Sequence, residues 1–118
     1  MTAPSAAERK ARRAAQAALD RKGLDLAVLD VREVSSVTDY YLLCSGRSTT
    51  HLRSIIDGIR EAMKAADVRL LHAEGTPESG WMLLDYGDVL VHVFDEETRV
   101  YYALERLWGD APSVPLER

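Results

Sequence analysis

One stretch of the chain carries the helical signature more clearly than any other. Leu52, Ile55, Ile56, Ile59 and Met63 recur at three- and four-residue spacing behind Ser48, a good helix cap. Upstream, Ala7 to Lys22 is rich in Ala, Arg and Lys, strong helix formers, and Gly23 is placed to end that helix. Leu24 to Val31 and Tyr40 to Ser45 are short, nearly continuous apolar runs, as expected of strands covered on both faces. Polar Arg32 to Asp39 reads as the loop between them, and Gly46 breaks the second run. Val68 to Ala73 reads as a shorter strand, followed by a loop from Glu74 to Gly80. Asp95 is placed to cap a last helix, with Glu96 and Glu97 in its first turn and Val100, Leu104, Leu107 and Trp108 on its buried face. The order helix, strand, strand, helix, strand, hairpin, helix predicts an α/β fold. It is a single-domain sandwich with a mixed five-stranded sheet flanked by helices. Residues 1–6 read as a disordered N-terminus, 7–108 as the folded domain, and 109–118 as a flexible tail with two prolines.

The segment Gly80 to Phe94 reads as two short strands folded back through a tight turn. If the turn is the two-residue loop Tyr86-Gly87, Asp85 faces Asp88, Leu83 faces Leu90 and Trp81 faces His92. Because side chains alternate, those six share one face, while Met82, Leu84, Val89, Val91 and Val93 form an apolar face suited to the core. The mixed face admits three readings. It is a second core face, with His92 hydrogen-bonded beneath Trp81; or a metal or catalytic site; or a protein-docking surface. A metal site needs Asp85, Asp88 and His92 to converge, yet His92 lies roughly 13 Å down the strand from the tip at the usual rise. One ion cannot take all three without other ligands. A tryptophan among apolar neighbours with acids at the rim matches the composition of a binding hot spot, and carboxylates there select a basic partner. The residue types favour docking.

Composition narrows the picture without changing it. The 118 residues are 47% hydrophobic and 29% charged, ordinary for one globular domain, and no apolar run approaches a membrane span. The single cysteine, Cys44, lies in an apolar run and reads as a buried hydrophobe in a reducing compartment, so a cytoplasmic location is expected. Net charge is −4, but residues 1–24 hold six Lys/Arg against two Asp/Glu, so the body is strongly acidic. An acidic body is a poor general binder of nucleic acid and suits a basic protein partner. The basic first helix raises a peripheral RNA contact, against the plainer reading of a solvated helix face.

Other chemistry is thin. Gly46-Arg47-Ser48, at a strand-to-helix junction, could offer backbone N–H groups to a phosphate, but it lacks the spaced glycines and lysine of a P-loop. Nucleotidyltransferases with mixed sheets place a glycine–serine pair at such a junction, followed by a strand bearing two metal-holding carboxylates. The next strand here carries no such pair. A nucleotide-binding enzyme of nucleotidyltransferase type, using Gly46, Ser48, Asp85 and Asp88, is therefore the alternative rather than the expectation. His51 and His72 lack metal-ligand spacing, and no cofactor, metal or catalytic residue is expected.

These segments also resemble a known family. Val37-Thr38-Asp39-Tyr40, then Cys44-Ser45-Gly46 with His51 following, then Glu74-Gly75, Trp81 through Phe94, and Tyr102 through Trp108 are similar in order and type to the ribosomal silencing factor (RsfS, Iojap-related) family. The likeness runs from about Ala14 to Trp108. Met82 stands where a branched aliphatic is usual and Val100 where a charged residue is usual, and the tail after Trp108 is an extension. The resemblance implies a nucleotidyltransferase-like fold without enzymatic activity. It implies a translation repressor that binds ribosomal protein L-fourteen on the large ribosomal subunit and blocks joining of the small subunit in starvation or stationary phase. Carried onto this chain, the family's docking surface is Trp81, Leu83, Asp85, Tyr86, Asp88, Leu90 and His92. A homodimer through the same apolar face stays open, and no membrane partner is implied.

Overall fold

The computed structural model describes residues 4–97 and 112–114. Helix α1 spans Ala6–Asp20, strand β1 Leu24–Asp30, strand β2 Tyr40–Gly46 and helix α2 Thr49–Ala65. Strand β3 is His72–Thr76; a single 3-10 turn, Pro77–Ser79, leads into β4, Trp81–Asp85, and then β5, Val89–Asp95. The sheet order is β1-β2-β5-β4-β3. Only the β2–β5 pair is parallel, and the other three pairs are antiparallel, so the sheet is mixed and five-stranded as expected.

Both helices cap where short polar side chains allow it. The Ser5 hydroxyl accepts the Glu8 N–H and starts α1 one residue earlier than expected. The Ser48 hydroxyl accepts the His51 N–H, and the His51 ring in turn accepts the Arg47 N–H. α1 ends at Arg21 rather than at Gly23, with Lys22 taking the left-handed backbone angle. Alanines at 7, 11, 14, 15, 17 and 18 let α1 lie close on the sheet, and α2 buries Leu52, Ile55, Ile56, Ile59 and Met63 beside it. Together the helices cover Val28, Leu42, Cys44, Leu84, Val89, Val91 and Val93, one face of the sheet.

The other face carries a second, smaller cluster: Leu29, Val31, Tyr41, Leu43 and Phe94. Pro112–Val114, in the stretch expected to be a flexible tail, pairs with the outer edge of β1. The Asp30 N–H donates to the Pro112 carbonyl at 2.9 Å, and the Val114 N–H to the Val28 carbonyl at 2.8 Å. The expected last helix lies, beyond Glu97, outside the described residues.

One strand differs from its expectation. The shorter strand runs over His72–Thr76, not Val68–Ala73, and all five of its residues are exposed. Val68 and Leu70 instead pack against the helix-side core, and the Val68 N–H closes the end of α2 on the Met63 carbonyl. Their hydrophobicity serves the helix terminus, so it misplaces the strand. Gly75, in β3, has φ +84°, and a Cβ there would clash with the Trp81 carbonyl oxygen. Gly75→Ala is expected to cost about 2 kcal/mol or more, from a left-handed non-glycine residue plus a backbone clash. Chemical denaturation checks this, and a variant with wild-type stability would show that β3 can shift freely.

Candidate functional site

The hairpin turn sits one residue later than the sequence suggests. The Tyr86 N–H donates to the Val89 carbonyl at 2.9 Å, enclosing Gly87 and Asp88 as the two-residue loop. Gly87 takes φ +91° while Asp88 does not go positive, the pattern of a type II′ turn with glycine in its first central position. The register is therefore Trp81 opposite Phe94, Leu83 opposite His92 and Asp85 opposite Leu90. This corrects the expected pairing of Asp85 with Asp88, Leu83 with Leu90 and Trp81 with His92. The change moves each partner by two residues, so side-chain parity is kept and the two faces survive it.

Trp81, Leu83, Asp85, Leu90 and His92 share the face opposite the helices, as expected, and Phe94 joins them. Tyr86 does not. It lies on the helix side, 4% exposed, within the main core, so it cannot line this face in the folded chain. Asp88 is the second turn residue. Its carboxylate takes an ion pair from Lys10 of α1 at 3.1 Å, and its carbonyl accepts the N–H groups of Asp39 and Tyr40 at 3.1 Å each. Asp85 accepts the Gly87 N–H at 2.7 Å. Both aspartates thus build the turn, and they do not oppose each other as a carboxylate pair.

The centre of the face is aromatic. His92 stacks between Tyr41 and Phe94, with ring centroids 5.5 Å and 5.8 Å away, and Trp81 leans on His92 at 6.0 Å and on Phe94 at 5.7 Å. The indole N–H of Trp81 donates to His92 Nδ1 at 3.3 Å. That bond assigns the remaining proton of a neutral ring to Nε2, which is buried and has no acceptor among the described residues. Trp81, Leu83 and Leu90 are half-buried around this cluster, and Leu90 and Trp81 pack on its buried members. Two contributors escape a reading of the hairpin alone. Tyr41 comes from β2, and Glu74 lies on exposed β3 opposite Leu83, 2.8 Å from His72. Only the sheet order brings them here; Glu74 figures with Gly75 in the family resemblance, but nothing there ties it to this face.

The arrangement is unsuited to the chemistry of the alternative reading. Gly46 is buried at the end of β2, Ser48 is spent on capping α2, and Asp85 and Asp88 are spent on the turn. No group of three or more His, Cys, Asp or Glu side chains that could hold a metal occurs among the described residues. No helix among them is long and apolar enough to cross a membrane.

A family model described as "Ribosomal silencing factor during starvation" matches residues 4–118. The chain is 40% identical over 104 residues to the Bacillus subtilis protein named ribosomal silencing factor RsfS, covering 88% of each. A crystal structure of a Chromobacterium violaceum protein superposes with a TM-score of 0.85 at 30% identity, covering 89% of this chain and 88% of that one. A second, from Bacillus halodurans, gives 0.78 at 32% identity, covering 89% and 95%.

Burial holds the His92 pKa down, to about 4 from 6.5. Between those values the unfolded chain binds a proton that the folded chain does not, so stability falls as the pH drops from 6.5 towards 4. The full loss is roughly 3 kcal/mol at 1.36 kcal/mol per pKa unit. His92→Phe, which keeps the stacking and removes the titration, should flatten that part of the stability–pH curve. Equal slopes for the two proteins in urea titrations across this range would contradict the assignment.

Proposed function

The chain belongs to the ribosomal silencing factor family, and from the hairpin face we propose how it acts. It docks on ribosomal protein L-fourteen of the large ribosomal subunit and, by occupying that surface, keeps the small subunit from joining. The family is regulatory rather than enzymatic, and the reading requires no bond to be made or broken. Repression then needs only mass action between two competitors for one surface.

The observation that carries the reading is the pre-set indole of Trp81. An anchor residue binds best when its rotamer is fixed beforehand, because ordering a large side chain on association costs about 0.5–1.5 kcal/mol. Here the bond to His92 and the packing on Phe94 fix the ring while leaving it half-exposed. Leu83 and Leu90 supply the apolar surround, and Glu74 with Asp85 supplies negative charge to a basic ribosomal protein. Asp88 contributes by holding the turn rather than by contact. Tyr86 contributes by anchoring the hairpin to the helix-side core. A homodimer through this same apolar face would have to open before docking.

Co-sedimentation with isolated large and small subunits tests this. The protein should travel with the large subunit alone, and Trp81→Ala should lose about 2–4 kcal/mol of affinity. Circular dichroism of the variant separates lost docking from lost folding. A folded Trp81→Ala with undiminished binding removes the indole from the interface, and sedimentation with the small subunit, or with neither, removes the reading. Glu74→Lys, on an exposed edge strand, should weaken binding most at low salt, since screening blunts exposed charge contacts. A loss independent of salt would show that Glu74 does not steer.

A further inference from the structure

Charge is divided between the two sides of the sheet. α1, α2 and their flanking turns, residues 4–23 and 49–69, hold ten Lys/Arg and five Asp/Glu, a net of +5. The remaining described residues, which form the strands and their loops, hold two Lys/Arg and eleven Asp/Glu, a net of −9. An overall charge of −4 conceals this opposition.

The positive side has a shape. A cleft of about 900 Å³ runs between α1 and α2, floored by Ala17, Gly58 and Ala62 and edged by Arg9, Arg12 and Arg13. A second hollow, of about 470 Å³, shares Glu61 and Val68 with it and adds Arg60, Lys64 and Arg69. Several cations here are already paired: Lys10 with Asp88, Arg12 with Glu8 and Arg21 with Glu61. Arg13, Arg60, Lys64 and Arg69 are exposed and make no ion pair among the described residues. Arg9 is exposed and spends one guanidinium N–H on the Pro4 carbonyl. Arg9 and Arg13 are one helical turn apart, on the same face of α1.

We infer that this face binds the sugar–phosphate backbone of folded RNA. A protein partner would be expected to seat an apolar anchor, and the cleft offers little: five cations, Gln16 and two carboxylates, Asp20 and Glu61, edge it, and its apolar lining is alanine, glycine and half-buried Val68. The exposed large hydrophobics Val34, Val37 and Leu71 all lie outside it. Phosphate contacts need only charge, donors and a groove to follow. The inference rests on the reading that the chain works at the large ribosomal subunit, an assembly of protein and RNA. The acidic strand side then meets a basic protein while the helical side meets phosphates, and one small domain bridges the two.

The test is co-sedimentation with large subunits over a salt series, comparing the wild-type chain, Arg9→Gln/Arg13→Gln, and the single control Arg47→Gln. Glutamine keeps helix propensity, both substituted arginines are exposed, and Arg47, in the turn between β2 and α2, is exposed and lines neither hollow. Each lost phosphate contact should reduce the slope of log affinity against log salt by roughly 0.7–0.9, so the double variant should lose about twice that and the control nothing. The wild-type chain should also shift protein-free large-subunit RNA in a gel at low salt, and polyglutamate should compete poorly. Equal slopes for wild type and double variant overturn the inference. Preference for polyglutamate over RNA overturns it in favour of an acidic protein partner. Failure of the wild-type chain to sediment with subunits sinks the docking function first; an RNA shift lost in the double variant would then still support the basic face on its own.

Discussion

All seven residues of β2 are buried, and the rest of the architecture answers that constraint. A strand that is apolar on both faces from Tyr40 to Cys44 must be covered on both, and it must have neighbours on both edges to satisfy its backbone. β1 and β5 supply the edges. Because β5 runs parallel to β2, the chain has to return to the same end of the sheet before entering it, and α2 together with the β3–β4 excursion makes that return. The helices cover Tyr40, Leu42 and Cys44; Tyr41 and Leu43 face the other way and draw in Leu29, Val31 and Phe94. The second cluster is the smaller, and its margin towards β4 and β3 is where the half-exposed aromatic face emerges.

The turn that joins β4 to β5 ties these layers together through groups that look functional in the sequence. Asp88 binds α1 through its side chain and the start of β2 through its carbonyl, so one residue fixes hairpin, helix and central strand. Its ion pair with Lys10 is partly exposed, where such pairs contribute up to about 1 kcal/mol. Geometry rather than energy is its contribution. Asp85 does comparable work by holding the Gly87 N–H. Carboxylates used this way still add to the negative field of the strand side while being unable to swing out to a ligand.

Apolar patterning made α2, β1, β2 and the hairpin legible because each has a one-sided or continuous apolar run to read, whereas α1 was legible from its helix-forming Ala, Arg and Lys composition. The hairpin's faces were legible even though its register was not. Moving the loop from Tyr86-Gly87 to Gly87-Asp88 shifts partners by two, and a period of two is blind to that. Tyr86 was misassigned because, as a loop residue, it had no face; as the last residue before the turn, it follows Met82 and Leu84 inward. β3 was misplaced because an edge strand exposed on both sides has no hydrophobic pattern at all, whereas the apolar residues preceding it belong to the end of α2. Tyr41 and Glu74 reach the candidate site through strand order, which adjacency in sequence does not encode. The basic cleft was half legible, as arginines on one helix, but its depth and its continuation onto α2 exist only in the packed pair.

The choice of histidine at position 92 shows what the aromatic face gives up. A phenylalanine there would stack on Tyr41 and Phe94 as well, with no imidazole to desolvate and no orphaned Nε2–H, whose burial costs about 1–3 kcal/mol. Only a ring nitrogen, however, can accept the indole N–H of Trp81. Without it the indole loses the bond that ties its N–H to the sheet. The histidine therefore trades stability for the orientation of one tryptophan, an exchange with no advantage to a residue whose task is only to fill a core. It makes sense where the half-exposed edge of that tryptophan must be presented in one position, and the low pKa that keeps the imidazole neutral keeps Nδ1 an acceptor throughout the physiological range.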